Sequence, residues 1–89
     1  MPVESQIQTA VSCFARDHGW LVRRLEYTGR AGAPDIIAFR AGRVLLVEFK
    51  SPTGKLRPGQ VAEHALLAKH GIHVHVINDV ARGYALFDA

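Results

Sequence analysis

The chain has 89 residues, of which 48% are apolar and 21% charged, with a formal net charge of +3 at pH 7. That length suits one domain (residues 1–89) with a modest core, and the apolar content excludes a disordered chain. One cysteine, Cys13, excludes an internal disulfide and fits a reducing compartment, while the absence of a membrane-length apolar run or a signal-peptide pattern implies a soluble, cytoplasmic protein.

Ile7, Val11 and Phe14 recur at helical spacing, so residues 3–18 are predicted to form a helix that Gly19 ends. Cys13 sits among these apolar positions and reads as a buried, inert thiol. Glu4 falls on the same stripe, where an acid either offsets the helix dipole from the first turn or serves a site. Residues 20–27 read as a strand with Leu21, Leu25 and Tyr27 on one face and Val22 on the other. Arg23, Arg24 and Glu26 make that strand less buried than its neighbours. Residues 28–33, with two glycines and Arg30, form a loop leading into Pro34.

Residues 34–50 are predicted to form a β-hairpin in which apolar runs flank the turn Ala41-Gly42. A two-residue loop makes Arg40 face Arg43, and counting outward in register puts Asp35 opposite Glu48. Glu48 and Lys50 then share a face. The hairpin is apolar on both sides, which implies covering layers on both faces of the sheet. Two carboxylates roughly 5 Å apart across a strand pair are destabilising unless something offsets them, and a divalent cation is the simplest candidate.

Residues 51–57 form a second loop containing Lys55 and Arg57, and Pro58 opens a helix running to about His70 and stopping at Gly71. A strand over 72–77 follows, then a helix from Asp79 to about Phe87 weakened by Gly83. His73 and His75 share a face of that strand, but no third zinc ligand stands at useful spacing. The predicted order is αβββαβα, an α/β fold.

The pairing of Pro34-Asp35 with Glu48-Phe49-Lys50 resembles the signature of the PD-(D/E)xK nuclease superfamily. Gly32-Ala33-Pro34-Asp35, the run from Glu48 to Leu56, Gln60 and the helical Glu4 together are similar to the virus-type replication-repair nuclease (VRR-NUC) family. The resemblance spans residues 4–60 and implies a restriction-endonuclease-like core, a mixed sheet flanked by helices. It also implies catalytic roles for Glu4, Asp35, Glu48, Lys50 and Gln60. Mg²⁺ or Mn²⁺ would be held by Asp35, Glu48 and the Phe49 backbone carbonyl, with Glu4 acting through water. Lys50 would orient or deprotonate the attacking water or neutralise phosphorane charge, and Gln60 would position Lys50 or a water.

Arg30, Lys55 and Arg57 lie in the loops beside these acids and are candidate phosphate contacts, since the acids alone would repel DNA. Small members of the family are typically phage-encoded homodimers that cut four-way junctions. The resemblance therefore implies a metal-dependent endodeoxyribonuclease of phage or bacterial origin acting on branched (Holliday-type) DNA, with no small-molecule substrate. A flap or nonspecific DNase, a non-catalytic DNA-binding module and a small interaction protein are the competing functions. For the dimer, Val74, Val76, Tyr84, Leu86 and Phe87 are the expected contact residues.

Overall fold

The computed structural model describes residues 2–89. Its elements are α1 (Glu4–Asp17), β1 (Leu21–Arg24), β2 (Ile36–Arg40), β3 (Arg43–Phe49), α2 (Pro58–Lys69), β4 (Val74–Ile77) and α3 (Val80–Asp88), in the predicted αβββαβα order. The strands form one mixed sheet in the order β1-β2-β3-β4; β1, β2 and β3 are antiparallel neighbours, and β4 runs parallel to β3 after the α2 crossover.

Local chemistry explains the element ends. Both α1 and α2 carry a glutamine at their third position, and the Gln6 and Gln60 side-chain oxygens each accept a hydrogen bond (2.9 Å) from the backbone N–H of the residue before the helix, Val3 and Arg57. This satisfies an otherwise free donor. At the far ends, Trp20 N–H donates to Ala15 and Ile72 N–H to Leu67, the closures of Schellman motifs around Gly19 and Gly71. Asp79 caps α3 by accepting from Arg82 N–H at 2.7 Å. The hairpin turn places Ala41 at φ 50° and Gly42 at φ 81°, the doubly left-handed geometry of a type I′ turn, and Arg40 faces Arg43 as predicted.

One face of the sheet, carrying Val22, Ile36, Ala38, Leu45, Val47 and Phe49, is covered by Ile7, Val11 and Ala15 of α1 and by Phe87 of α3. Burying each large side chain contributes roughly 2 kcal/mol. A Cβ on Gly83 would lie 2.4 Å from a Val11 methyl, so α3 reaches α1 because position 83 has no side chain. Gly83 thus serves the packing of a helix whose propensity it lowers. Cys13 is exposed, contrary to expectation: at about 100° per residue it points away from the Val11–Ala15 stripe.

The other face departs from expectation more strongly. α2 covers only part of it, leaving Leu21 50%, Phe39 36% and Val44 55% exposed. Most of the residues expected at a subunit contact instead turn inward: Phe87 is fully buried, Val74 is 5% exposed, and Tyr84 and Leu86 pack against the core, while Val76 is half-buried. β1 stops at Arg24 rather than Tyr27 because its partner runs out. The pairing ends at Arg24 opposite Ile36, with a last bond from Leu25 N–H to the Asp35 carbonyl, and Pro34 offers no further donor.

Candidate active site

The site grows from the open end of the β2–β3 hairpin. Register runs regularly to Ile36 opposite Val47, but Asp35 N–H also donates to the Val47 carbonyl at 3.0 Å. Asp35 and Ile36 thereby share one partner, as in a β-bulge, so simple extrapolation of Asp35 opposite Glu48 is shifted by one residue. The bulge swings the Asp35 carboxylate along the end of β3, where its Oδ2 accepts the Phe49 backbone N–H at 2.7 Å. Because the N–H and C=O of one strand residue point to the same side, the Phe49 carbonyl is directed toward Asp35 as well. The Phe49 ring is fully buried in the core, so its backbone alone can serve the site.

Glu48 is 1% exposed, a position that carboxylates rarely occupy without a partner. Burial first, then hydrogen bonding to and repulsion from Asp35, push its carboxyl up to about 8, against an ordinary value of 4.5. The Lys50 ammonium pulls the other way and Glu4 adds to the rise. From α2, Gln60 Nε2 donates to Glu48 Oε2 at 3.2 Å, while His64 Nε2 stands 3.7 Å from Glu48 Oε1. These last two atoms are buried and have no hydrogen-bond partner among the described residues. Gln60 and His64 are four residues apart and so share one face of α2, which aims both at Glu48. Burial lowers the pKa of His64 and favours its neutral ring.

Lys50 is buried, yet its ammonium makes no ion pair or hydrogen bond with the described residues and is not sealed from solvent. It lines an open cleft of about 350 Å³ together with Glu4, Asp35, Glu48, Arg57 and Gln60. The five residues expected to be catalytic thus border one space, into which Glu4 reaches from the start of α1. No three His, Cys, Asp or Glu side chains stand close enough to hold an ion by themselves among the described residues. The donors that the cleft would offer an ion are two carboxylates and a carbonyl, a set whose chemistry would suit Mg²⁺, an ion that retains several waters. Two acids pressed together, one with an unpaired buried oxygen, also fit the need for a cation there. The rings of His73 and His75 pack edge to face at 4.6 Å, and no third ligand stands beside them among the described residues.

The cleft is held open by main chain. Gly32 lies at φ +96°, and a Cβ there would come within 2.6 Å of the Gly59 carbonyl oxygen, so the loop before Asp35 rests directly on the start of α2. Arg30 is tied into a separate cluster: its Nε and Nη2 donate to Glu63 Oε1 at 3.0 and 2.7 Å, and Tyr27 OH donates to Glu63 Oε2 at 2.8 Å. These contacts hold Glu63 below the usual carboxylate range, the Tyr27 hydrogen bond foremost. Arg57 borders the cleft, while Lys55 is exposed outside its lining.

His64 and Glu63 escape a reading by motif. The only signal for His64 is its spacing of four from Gln60, which becomes informative once Gln60 is known to face the acids.

Comparison with known proteins agrees with the fold. The model of the VRR-NUC domain matches residues 2–81. A protein provisionally named nuclease p44, from Acyrthosiphon pisum secondary endosymbiont phage 1, is 33% identical over 76 residues, covering 84% of this chain and 82% of the relative. A solved structure described as a VRR_NUC domain superposes with a TM-score of 0.86 at 32% identity, over 96% of this chain and 94% of its own. A second, a VRR_NUC domain protein, has a TM-score of 0.75 at 20% identity, over 98% and 86%, a likeness of fold.

Proposed function

Since this chain belongs to the VRR-NUC family of nucleases, we propose that residues 1–89 form one domain of a Mg²⁺- or Mn²⁺-dependent endodeoxyribonuclease whose preferred substrate is branched DNA, four-way junctions included. The observation that carries the metal and the chemistry is the buried Glu48 carboxylate, pressed against Asp35 with one oxygen unpaired, at the floor of a cleft open to solvent.

A divalent ion held by Asp35, Glu48 and the Phe49 carbonyl would polarise the scissile phosphate and lower the pKa of an attacking water. The chain's own groups do the rest. Asp35 is fixed by the Phe49 N–H, and Glu48 is fixed by Gln60, so neither carboxylate has to reorganise when substrate arrives. Glu4 faces the same space from α1 and would hold a water at the far side of the cleft. Lys50, with no ion pair among the described residues, is available to orient the nucleophilic water or to neutralise charge building on the phosphate. Arg57 at the cleft rim and Lys55 nearby would contact backbone phosphates; Arg30 would do so only as a guanidinium anchored by Glu63.

A homodimer supplies paired sites for paired cuts. Its contact surface is better sought on the open sheet face at Leu21, Phe39 and Val44 than on β4 and α3, whose apolar side chains are spent inside the chain. The deciding experiment is cleavage of linear, flap and four-way DNA with Mg²⁺ or Mn²⁺, alongside light scattering at micromolar protein. Metal-dependent cutting, strongest on the four-way substrate and by a particle of twice the chain mass, is expected. Absence of cutting on every DNA with either ion would overturn the enzymatic reading.

A further inference from the structure

Alongside the cleft runs a second depression, on the opposite side of the sheet's end, between α1 and the edge strand β1. It is an open groove of about 350 Å³, lined from α1 by Ser5, Thr9, Ser12 and Arg16 and from β1 by Arg24. Those α1 positions recur every three or four residues, so they form one polar stripe about 16 Å long at 1.5 Å per residue. Arg24 joins them because alternation along β1 puts it on the same face as Val22, beyond the edge of the covered core.

The groove has the chemistry of a phosphate track. No acid lines it, and neither Arg16 nor Arg24 has an ion-pair or hydrogen-bond partner among the described residues. This contrasts with Arg30, which is tied to Glu63. Hydroxyls and arginines are the side chains that proteins direct at nucleic-acid backbones. The groove also adjoins the cleft at two points. Glu4 borders the cleft and its neighbour Ser5 borders the groove. Arg24 lines both the groove and a smaller hollow that it shares with Asp35, where Glu26 is the other acid.

We propose that this groove carries the DNA strand leaving the cleft, with Arg16 and Arg24 each contacting a backbone phosphate. The inference rests on the nuclease reading for its substrate but not for its geometry. A strand bent over the end of the sheet meets the acids at Asp35 and Glu48 and then positive charge with hydroxyl donors along α1. This path compensates the repulsion that the acids exert on a polyanion.

Cys13 offers a reporter, being the only cysteine, exposed, and on the groove wall one turn before Arg16. In a non-cutting Asp35→Asn protein, alkylation of Cys13 by iodoacetamide is measured with and without saturating four-way or linear DNA. DNA affinity is measured across a salt series for this protein and for versions carrying Arg16→Ala with Arg24→Ala, or Arg16→Lys with Arg24→Lys. DNA should slow alkylation several-fold; the alanine pair should reduce the slope of log affinity against log salt by about 2, and the lysine pair should restore most of it. Unslowed alkylation under saturating DNA, or an unchanged slope in the alanine pair, overturns the proposal. If the groove passes both tests while the unmodified chain cuts no DNA, the track stands and the nuclease reading falls; cutting with an unprotected Cys13 gives the reverse.

Discussion

The two ends of the β2–β3 hairpin treat charge in opposite ways. At the turn, Arg40 and Arg43 stand side by side, yet both guanidinium groups lie over the Trp20 ring, at 4.4 and 5.2 Å from its centroid, and both donate to the Ala89 carbonyl oxygen at 2.6 and 2.7 Å. Cation–π contacts and a shared acceptor offset the repulsion there. At the open end, Asp35 and Glu48 are also two acids side by side, but among the described residues a Glu48 oxygen has no hydrogen-bond partner and the Lys50 ammonium has no ion pair. The chain evidently has the means to satisfy paired charges, so unsatisfied ones mark where an outside group belongs.

The largest expected effect comes from equalising the two ends. Asp35→Asn should abolish cleavage while DNA binding holds or strengthens, because a negative charge beside Glu48 and the phosphate is gone; metal-free stability should rise for the same reason. Appreciable residual cutting in a timed junction assay would mean that Asp35 holds no metal. Next in size, Lys50→Ala should cost roughly 100-fold or more in turnover, the usual scale for a positioned acid, base or charge stabiliser. Calorimetric Mn²⁺ affinity should survive; its collapse would recast Lys50 as a group that organises the acids.

The contrast is sharpened by pH. The Glu48 carboxyl titrates near 8 in the folded protein against 4.5 ordinarily, so between those values the native state holds a proton that the unfolded chain has lost. Stability of the metal-free protein should therefore fall as pH rises from about 4.5 to about 8 and level off above. A cation must displace that proton, so its apparent affinity should climb by about tenfold per pH unit until the carboxyl is ionised. Chemical denaturation and Mn²⁺ titration at several pH values check both slopes, and flat curves would return Glu48 to an ordinary carboxylate.

The smallest effect belongs to the turn. Ala41 occupies φ 50°, a region costing a non-glycine residue about 1 kcal/mol, and Ala41→Asn should recover part of that, visible as a melting temperature a few degrees higher with cleavage unchanged.

Most of the architecture was legible because it depends on local signals: the turn at Ala41-Gly42, Pro58 at a helix start, and alternation along the hairpin. What local patterns cannot reveal is which apolar face acquires a cover. The hairpin reads as buried on both sides, but among the described residues α2 covers only part of the second face, and Phe39 and Val44 remain open. The acids were legible as a motif, whereas the geometry of Asp35 depends on a bulge that pairing rules alone do not announce. His64 was invisible because the same residue spacing serves a surface helix as readily as a site. Cys13 shows the converse error, an apolar neighbourhood in sequence that helical rotation turns outward.

The close seating of Gly32 on the Gly59 carbonyl has a dynamic consequence. The loop bearing Asp35 and the helix bearing Gln60 and His64 meet at backbone there, and the Arg30 and Tyr27 side chains tie the same stretch to Glu63 of that helix. A hinge that opened the cleft by moving one against the other would have to break that seam and those bonds, which favours the two walls moving together. Under the proposed function, adaptation would fall to the nucleic acid, and easily kinked or already branched DNA would cost the least to admit. Selectivity of that kind would be read as energy of bending, without contacts to any base.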